Sequence, residues 1–149
     1  MQENRVPTEA DWGDYKADLD RNWAHDMFAG HTNDEMRQRF YENVLLATED
    51  LRWMPPIPFR YYVVGFRDFV VAREFQPGDD GSDAASCFMS LVQQKLDEQR
   101  DYILPIMLEL LTALRYITEN QDSYGADVAI YGDFRERLQQ IEYLYAQES

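Results

Sequence analysis

Apolar residues recur along most of this chain at intervals of three and four, the spacing at which an α-helix returns to one face. Near the N-terminus Trp12, Tyr15, Leu19 and Trp23 follow one another in this way, behind an N-cap pattern of Thr8 and Asp11. The pattern predicts a first helix over about 9–27, closed by Gly30. Thr32 and Glu35 then form a capping box, and Met36, Phe40, Val44, Ala47 and Leu51 continue the same rhythm, so a second, unbroken helix is expected over about 33–52. Pro55, Pro56 and Pro58 remove backbone donors and fix φ, which predicts an extended connector.

The segment 59–75 admits two readings. Phe59, Tyr62, Val63, Phe66, Phe69, Val70 and Arg73 share a helical face, while the β-branched and aromatic content and Gly65 suit a strand. Helix is preferred, because no turn signal divides a stretch that is long for one strand. Val64 and Val71 widen its apolar surface and place it near the centre of a bundle. Gln76 to Asp83 is a loop by composition, with Ser82 or Ser86 available to cap a fourth helix that turns Phe88, Leu91, Val92, Leu96 and Ile103 inward. Pro105 predicts a break at about 101–105. Ile106 to Ile117 is apolar nearly all round and reads as another central helix. After a polar loop at Asn120 to Gly125, a last helix carries Val128, Tyr131, Phe134, Leu138, Ile141 and Leu144, with Gly132 either tolerated or marking its true start near Asp133. The expectation is one all-α domain over 1–149, a bundle of five or six helices with a central, nearly all-apolar helix. Strands at 59–75 would make the class α+β.

Composition narrows the classes of function. The chain has 149 residues, of which 45% are hydrophobic, enough for a core that needs no disulfide or metal. Asp and Glu number 28 against 14 Lys and Arg, a net charge of −14 that disfavours direct contact with nucleic acid or an anionic membrane. The acid lies on the flanks, since residues 52–75 hold four basic and two acidic side chains. Cys87 is the single cysteine, which excludes an intrachain disulfide. The N-terminal stretch has neither a basic nor an apolar region and does not read as a secretory signal, so a cytoplasmic location is expected. Ile103 to Ile117 is interrupted by Pro105, Glu109 and Arg115 and is too short to span a membrane.

Catalytic patterns are missing from the sequence. Di-metal bundles use Glu-x-x-His, but Asn22 stands three before His25 and Phe28 three before His31. Two histidines and one cysteine make no Cys/His zinc cage, and both histidines read as surface or cap residues. The run Asp79-Asp80-Gly81-Ser82-Asp83 fails as a calcium loop, since Ala84 and Ser90 occupy the sixth and twelfth positions. Cys87 has no neighbouring base and reads as a buried, inert thiol. There is no nucleophile elbow, P-loop or dinucleotide fingerprint, so neither enzyme activity nor a cofactor is expected.

Charge and aromatic residues supply the functional expectation. On a continuous first helix Asp11, Asp14 and Asp18 would form a ridge of like charge, which local stability does not explain. Such a ridge serves solubility or the docking of a basic partner. Tyr124, Tyr131 and Tyr143 lie beside acids, Asp127 among them, and are candidates for exposed anchors. The leading reading is a cytoplasmic protein-binding module that inhibits or regulates a basic protein, such as a toxin, an effector or a nucleic-acid-acting protein. Small acidic inhibitors and toxin-immunity proteins have this kind of composition. Asp11, Asp14, Asp18, Tyr124, Asp127 and Tyr131 are its partner-binding candidates. The competing reading is a small helical ligand-binding domain or enzyme in which Arg60 or Arg67 holds an anionic group. Structural ion pairs between those arginines and carboxylates of neighbouring helices are the simpler account of them. A third reading is a DNA mimic whose carboxylates imitate phosphates.

Overall fold

A computed structural model describes residues 5–147, and every regular element among them is helical. Two 3-10 turns, Glu9–Trp12 and Tyr15–Ala17, precede α1 (Leu19–Phe28), α2 (Asn33–Glu42), α3 (Val44–Arg52), α4 (Pro56–Ala72) and α5 (Ser82–Glu98). A single turn, α6 (Arg100–Ile103), and a 3-10 turn at Leu104–Ile106 lead into α7 (Met107–Glu119). The single turn α8 (Val128–Tyr131) and α9 (Phe134–Ala146) follow.

The ambiguous segment is α4, so the α+β alternative is overturned. Pro56 opens it in the first turn, where its missing N–H has no helical partner to lose. Phe59, Tyr62, Val63, Phe66, Phe69 and Val70 are buried along it, and Phe66 stacks on Phe40 of α2 at 4.8 Å and meets Phe88 of α5 edge-on at 5.4 Å. Gly65 is there for close approach, because a Cβ at this position would overlap the Asn33 side chain at the start of α2. Asn33 in turn donates from Nδ2 to the Tyr61 carbonyl at 3.0 Å.

The expected first helix is broken. Gly13 takes a positive φ of 60°, and Asp18 caps α1 by accepting from the backbone N–H of Asp20 and Arg21. The helical phase restarts at that cap, so Trp12 is buried while Leu19 is 88% and Trp23 52% exposed; Ala24 and Phe28 form the buried face of α1. A side-chain clasp holds the preceding turns in place. Tyr15 stacks on His25 at 3.6 Å, Trp12 meets the same ring edge-on, and Glu9 accepts from the Tyr15 hydroxyl at 2.6 Å while lying 2.9 Å from His25 Nε2. His25 is therefore a packing residue, whereas His31 stays on the surface.

The expected second helix is also two. Asn43 leaves helical geometry at φ −158° and accepts from the Leu46 N–H, competing with the helical ladder. Met36, Phe40, Ala47 and Leu51 are still buried, as the periodicity predicts. Across the break Arg39 donates from Nε and Nη2 to the buried Asp50 at 3.2 and 2.8 Å. Further on, the helix breaks earlier than the expected 101–105: Gln99 leaves helical geometry at φ −142°, Arg100–Ile103 forms a separate turn, and Pro105 sits in the 3-10 turn that follows. Asp133 caps α9 after Gly132. The fold thus has more and shorter helices than the expected five or six. Among the described residues no helix is long and apolar enough to cross a membrane.

Candidate functional site

Six cationic side chains, Arg60, Arg67, Arg73, Lys95, Arg100 and Arg137, donate to backbone carbonyls. Arg60 donates to the carbonyls of Tyr102 and Asp101 at 2.9 and 3.1 Å. Asp101 lies four residues before Pro105, which has no N–H to return to it. Arg67 reaches the Glu109 carbonyl and pairs with Asp68 on its own helix. Arg73 donates to the Ser123 carbonyl, Arg100 to the carbonyls of Leu144 and Tyr145 at the end of α9, and Arg137 to those of Tyr131 and Ser86. The carbonyls of Asp101, Tyr102, Ser123, Tyr131, Leu144 and Tyr145 belong to helix ends and loops that leave them short of partners, whereas those of Glu109 and Ser86 lie within α7 and α5. Among the described residues the expected ion pairs from Arg60 and Arg67 to carboxylates of neighbouring helices do not form.

The carboxylates lie on the outside. Among the described residues Asp50 is the acid buried in the core, where desolvation raises its carboxyl and the Arg39 guanidinium opposes that rise. With so many cations turned toward carbonyls, the acidic exterior is weakly neutralised by its own bases.

One acidic region has shape as well as charge. Where Asn43 ends α2, the chain from Phe40 to Leu45 and the loop 73–81 flank a groove of about 330 Å³. Gln76 pins this loop by donating to the Tyr41 carbonyl at 2.8 Å, and Asp79 accepts from the Gly81 N–H at 2.7 Å. Gly81 has φ 91°, and a Cβ there would overlap the Phe75 ring, so glycine lets Phe75 lie down against Phe69 at 5.3 Å. Phe40, Phe69 and Phe75 make the floor; Glu42, Asp79 and Asp83 stand exposed around it, with Leu45, 59% exposed, at the mouth. Among the described residues Glu42 has no ion-pair partner, while Asp83 accepts from the Tyr131 hydroxyl at 2.8 Å. Carboxylates above aromatic rings suit a cation on an apolar stem, the shape of an arginine or lysine side chain.

The structure separates the residues singled out from the sequence. Asp11 closes a capping box on the Thr8 N–H, Asp14 precedes the second 3-10 turn, and Asp18 caps α1, so the three form no ridge on one helix. Capping by Asp11 and Asp18 is a local stabilising role that the charge pattern alone conceals. Tyr124 is fully buried, donating to the Val70 carbonyl at 2.9 Å beneath the Arg73 guanidinium, and burial pushes its phenol up to about 12. It is a core residue, not an exposed anchor. Asp127 is exposed and caps α8, Tyr131 touches the groove through Asp83, and Tyr143 is 61% exposed on α9. Cys87 is half-buried, and burial raises its thiol, the opposite of nucleophile activation. Glu42, Phe75, Asp79 and Asp83 escape sequence reading because the aspartate-rich loop looks like an ordinary solvated turn; Phe75 beside that loop is the available hint. No protein-family model, curated protein or solved structure matches this chain.

Proposed function

We propose that this protein is a protein-binding module that captures a basic segment of a protein partner, a toxin, an effector or a nucleic-acid-acting protein, and inhibits or regulates it. The observation that carries this reading is the groove in which Glu42, Asp79 and Asp83 surround the rings of Phe40, Phe69 and Phe75. Opposed potentials speed encounter and reject acidic competitors, and an aromatic floor gives one inserted side chain an apolar seat. The surrounding net charge of −14 extends the same attraction beyond the groove.

The test uses an arginine-rich peptide and the neutralised variant Glu42→Gln/Asp79→Asn/Asp83→Asn, compared with Asp14→Asn/Glu119→Gln/Asp122→Asn, which removes equal charge elsewhere. Binding is expected to move the amide resonances of Gln76 and Gly81 and to be lost in the groove variant but retained in the control. It is also expected to weaken sharply at about 0.5 M salt, where the screening length falls to a few ångströms. Equal binding by both variants would mean that total charge, and not this groove, does the work.

A further inference from the structure

A second cleft, of about 260 Å³, opens between α1, α3, α5 and α6 and has the opposite character. At its base Lys95 is 1% exposed. Its Nζ donates to the Arg52 carbonyl at 2.7 Å and to Gln99 Oε1, and lies 4.9 and 5.0 Å from the rings of Phe59 and Tyr102. Two of its three N–H groups thus meet oxygen, and the third has no oxygen acceptor among the described residues. Arg52 and Arg21 line the same cleft, together with Trp53, Gln94 and Tyr102. Arg52 lies over the Trp53 ring at 5.2 Å and, with the Gln94 amide oxygen turned toward it, donates to that oxygen at 2.7 and 2.9 Å. Glu98 is the one carboxylate in the lining, and Glu49 stands 3.6 Å from Arg52 outside it.

This convergence runs against the composition of the chain. Where acids outnumber bases two to one, three cations face one carboxylate, and one of the cations is buried. Burial first, and then the Arg52 charge, hold the Lys95 amine down at about 8, with Arg21 acting in the same direction and Glu98 against it. Capping the end of α3 accounts for Lys95 by itself. It does not account for two guanidinium groups gathered over the same opening, since like charges in a cleft are a cost until an anion enters. We propose that this cleft binds a small oxyanion, the phosphate or carboxylate of a small-molecule ligand, between Lys95, Arg52 and Arg21. The site is separate from the aromatic groove and independent of the docking reading.

The full chain would be titrated with inorganic phosphate and, in parallel, with benzoate, each against sodium chloride of equal ionic strength, while following the Arg52 Nε–H, Trp53 Nε1–H and Gln94 amide signals. Saturable shifts with either oxyanion and not with chloride are expected, and whichever probe binds names the ligand chemistry. Arg52→Gln should weaken that binding about tenfold or more, as loss of a charged hydrogen-bonding group does. Arg21→Gln, at an exposed position, should weaken it about two- to fivefold, and Glu98→Gln should tighten it. At pH 8.5 binding should take up protons, because an anion raises the Lys95 amine from about 8. Lys95→Met should abolish the uptake; if that variant does not fold, Arg52→Gln carries the test. Failure of both probes to saturate, or unchanged affinity in Arg52→Gln, would overturn the proposal.

Discussion

Around the Phe75 groove the carboxylates of Glu42, Asp79 and Asp83 stand in solvent, whereas the ammonium of Lys95 is folded into the core between two aromatic rings. Both openings concentrate one sign of charge, but their charges are held by different means. The groove acids remain hydrated, so they can attract a partner without taking part in packing. The Lys95 charge was removed from water when the chain folded, so its interactions contribute to folding and to recognition together. Position relative to solvent therefore decides whether a charged residue can be altered without disturbing the fold.

The most severe way to probe that contrast is Lys95→Ala. It leaves the Arg52 carbonyl and Gln99 without their donor and opens space between Phe59 and Tyr102. A loss of about 2–4 kcal/mol is expected from the unmade hydrogen bonds and the cavity, read as a lowered urea midpoint. A loss below about 0.5 kcal/mol would show that the lysine is not integrated into the core as argued.

Next in size is Gly81→Ala, which places a Cβ at φ 91° and against Phe75. About 1–3 kcal/mol of destabilisation is expected from the strained backbone. The displaced ring should also weaken peptide binding. Retained binding with lowered stability would detach the groove floor from recognition.

The pH dependence of stability isolates the lysine. Between about 8 and the ordinary lysine value of 10.5 the unfolded chain holds a proton that the folded chain has released. Stability contributed by Lys95 therefore rises as pH rises through that window and is level below it. The rise should appear as the difference between the profiles of the wild type and Lys95→Met. Subtraction removes the opposing contributions of Cys87 and of the buried phenols of Tyr62 and Tyr124, all of which burial pushes up.

The smallest expected effect is on the stability of Glu42→Gln/Asp79→Asn/Asp83→Asn. Asparagine at 79 keeps an acceptor for the Gly81 N–H, and at 83 one for Tyr131. Its melting temperature should stay within about 2 °C of the wild type, as for most surface changes. A larger drop would place these acids in the fold as well as at its surface.

Much of the helical content was legible because burial follows the three-and-four rhythm even across a break. Met36, Phe40, Ala47 and Leu51 are buried although Asn43 divides their helix. The first segment misled because Trp12 and Leu19 are in phase only if no cap lies between them, and Asp18 is such a cap. Tyr124 misled for a related reason: its polar neighbours in sequence are not its neighbours in space, and its hydroxyl finds the Val70 carbonyl in the interior. The groove was invisible because Phe40, Glu42, Phe75 and Asp83 come from separate stretches of chain.

Local periodicity, local stereochemistry and simple counting were enough for the helical class, for an interruption ahead of α7 though not its place at Gln99, for the helix at 59–75 as the preferred reading and for the surplus of negative charge. Tertiary structure alone decided which charges would be spent. Whether an arginine meets a carboxylate or a carbonyl, and whether a tyrosine faces water or the core, depends on which helix ends are brought beside it. That pairing joins residues as far apart as Arg73 and Ser123 or Lys95 and Arg52, and no spacing along the chain encodes it.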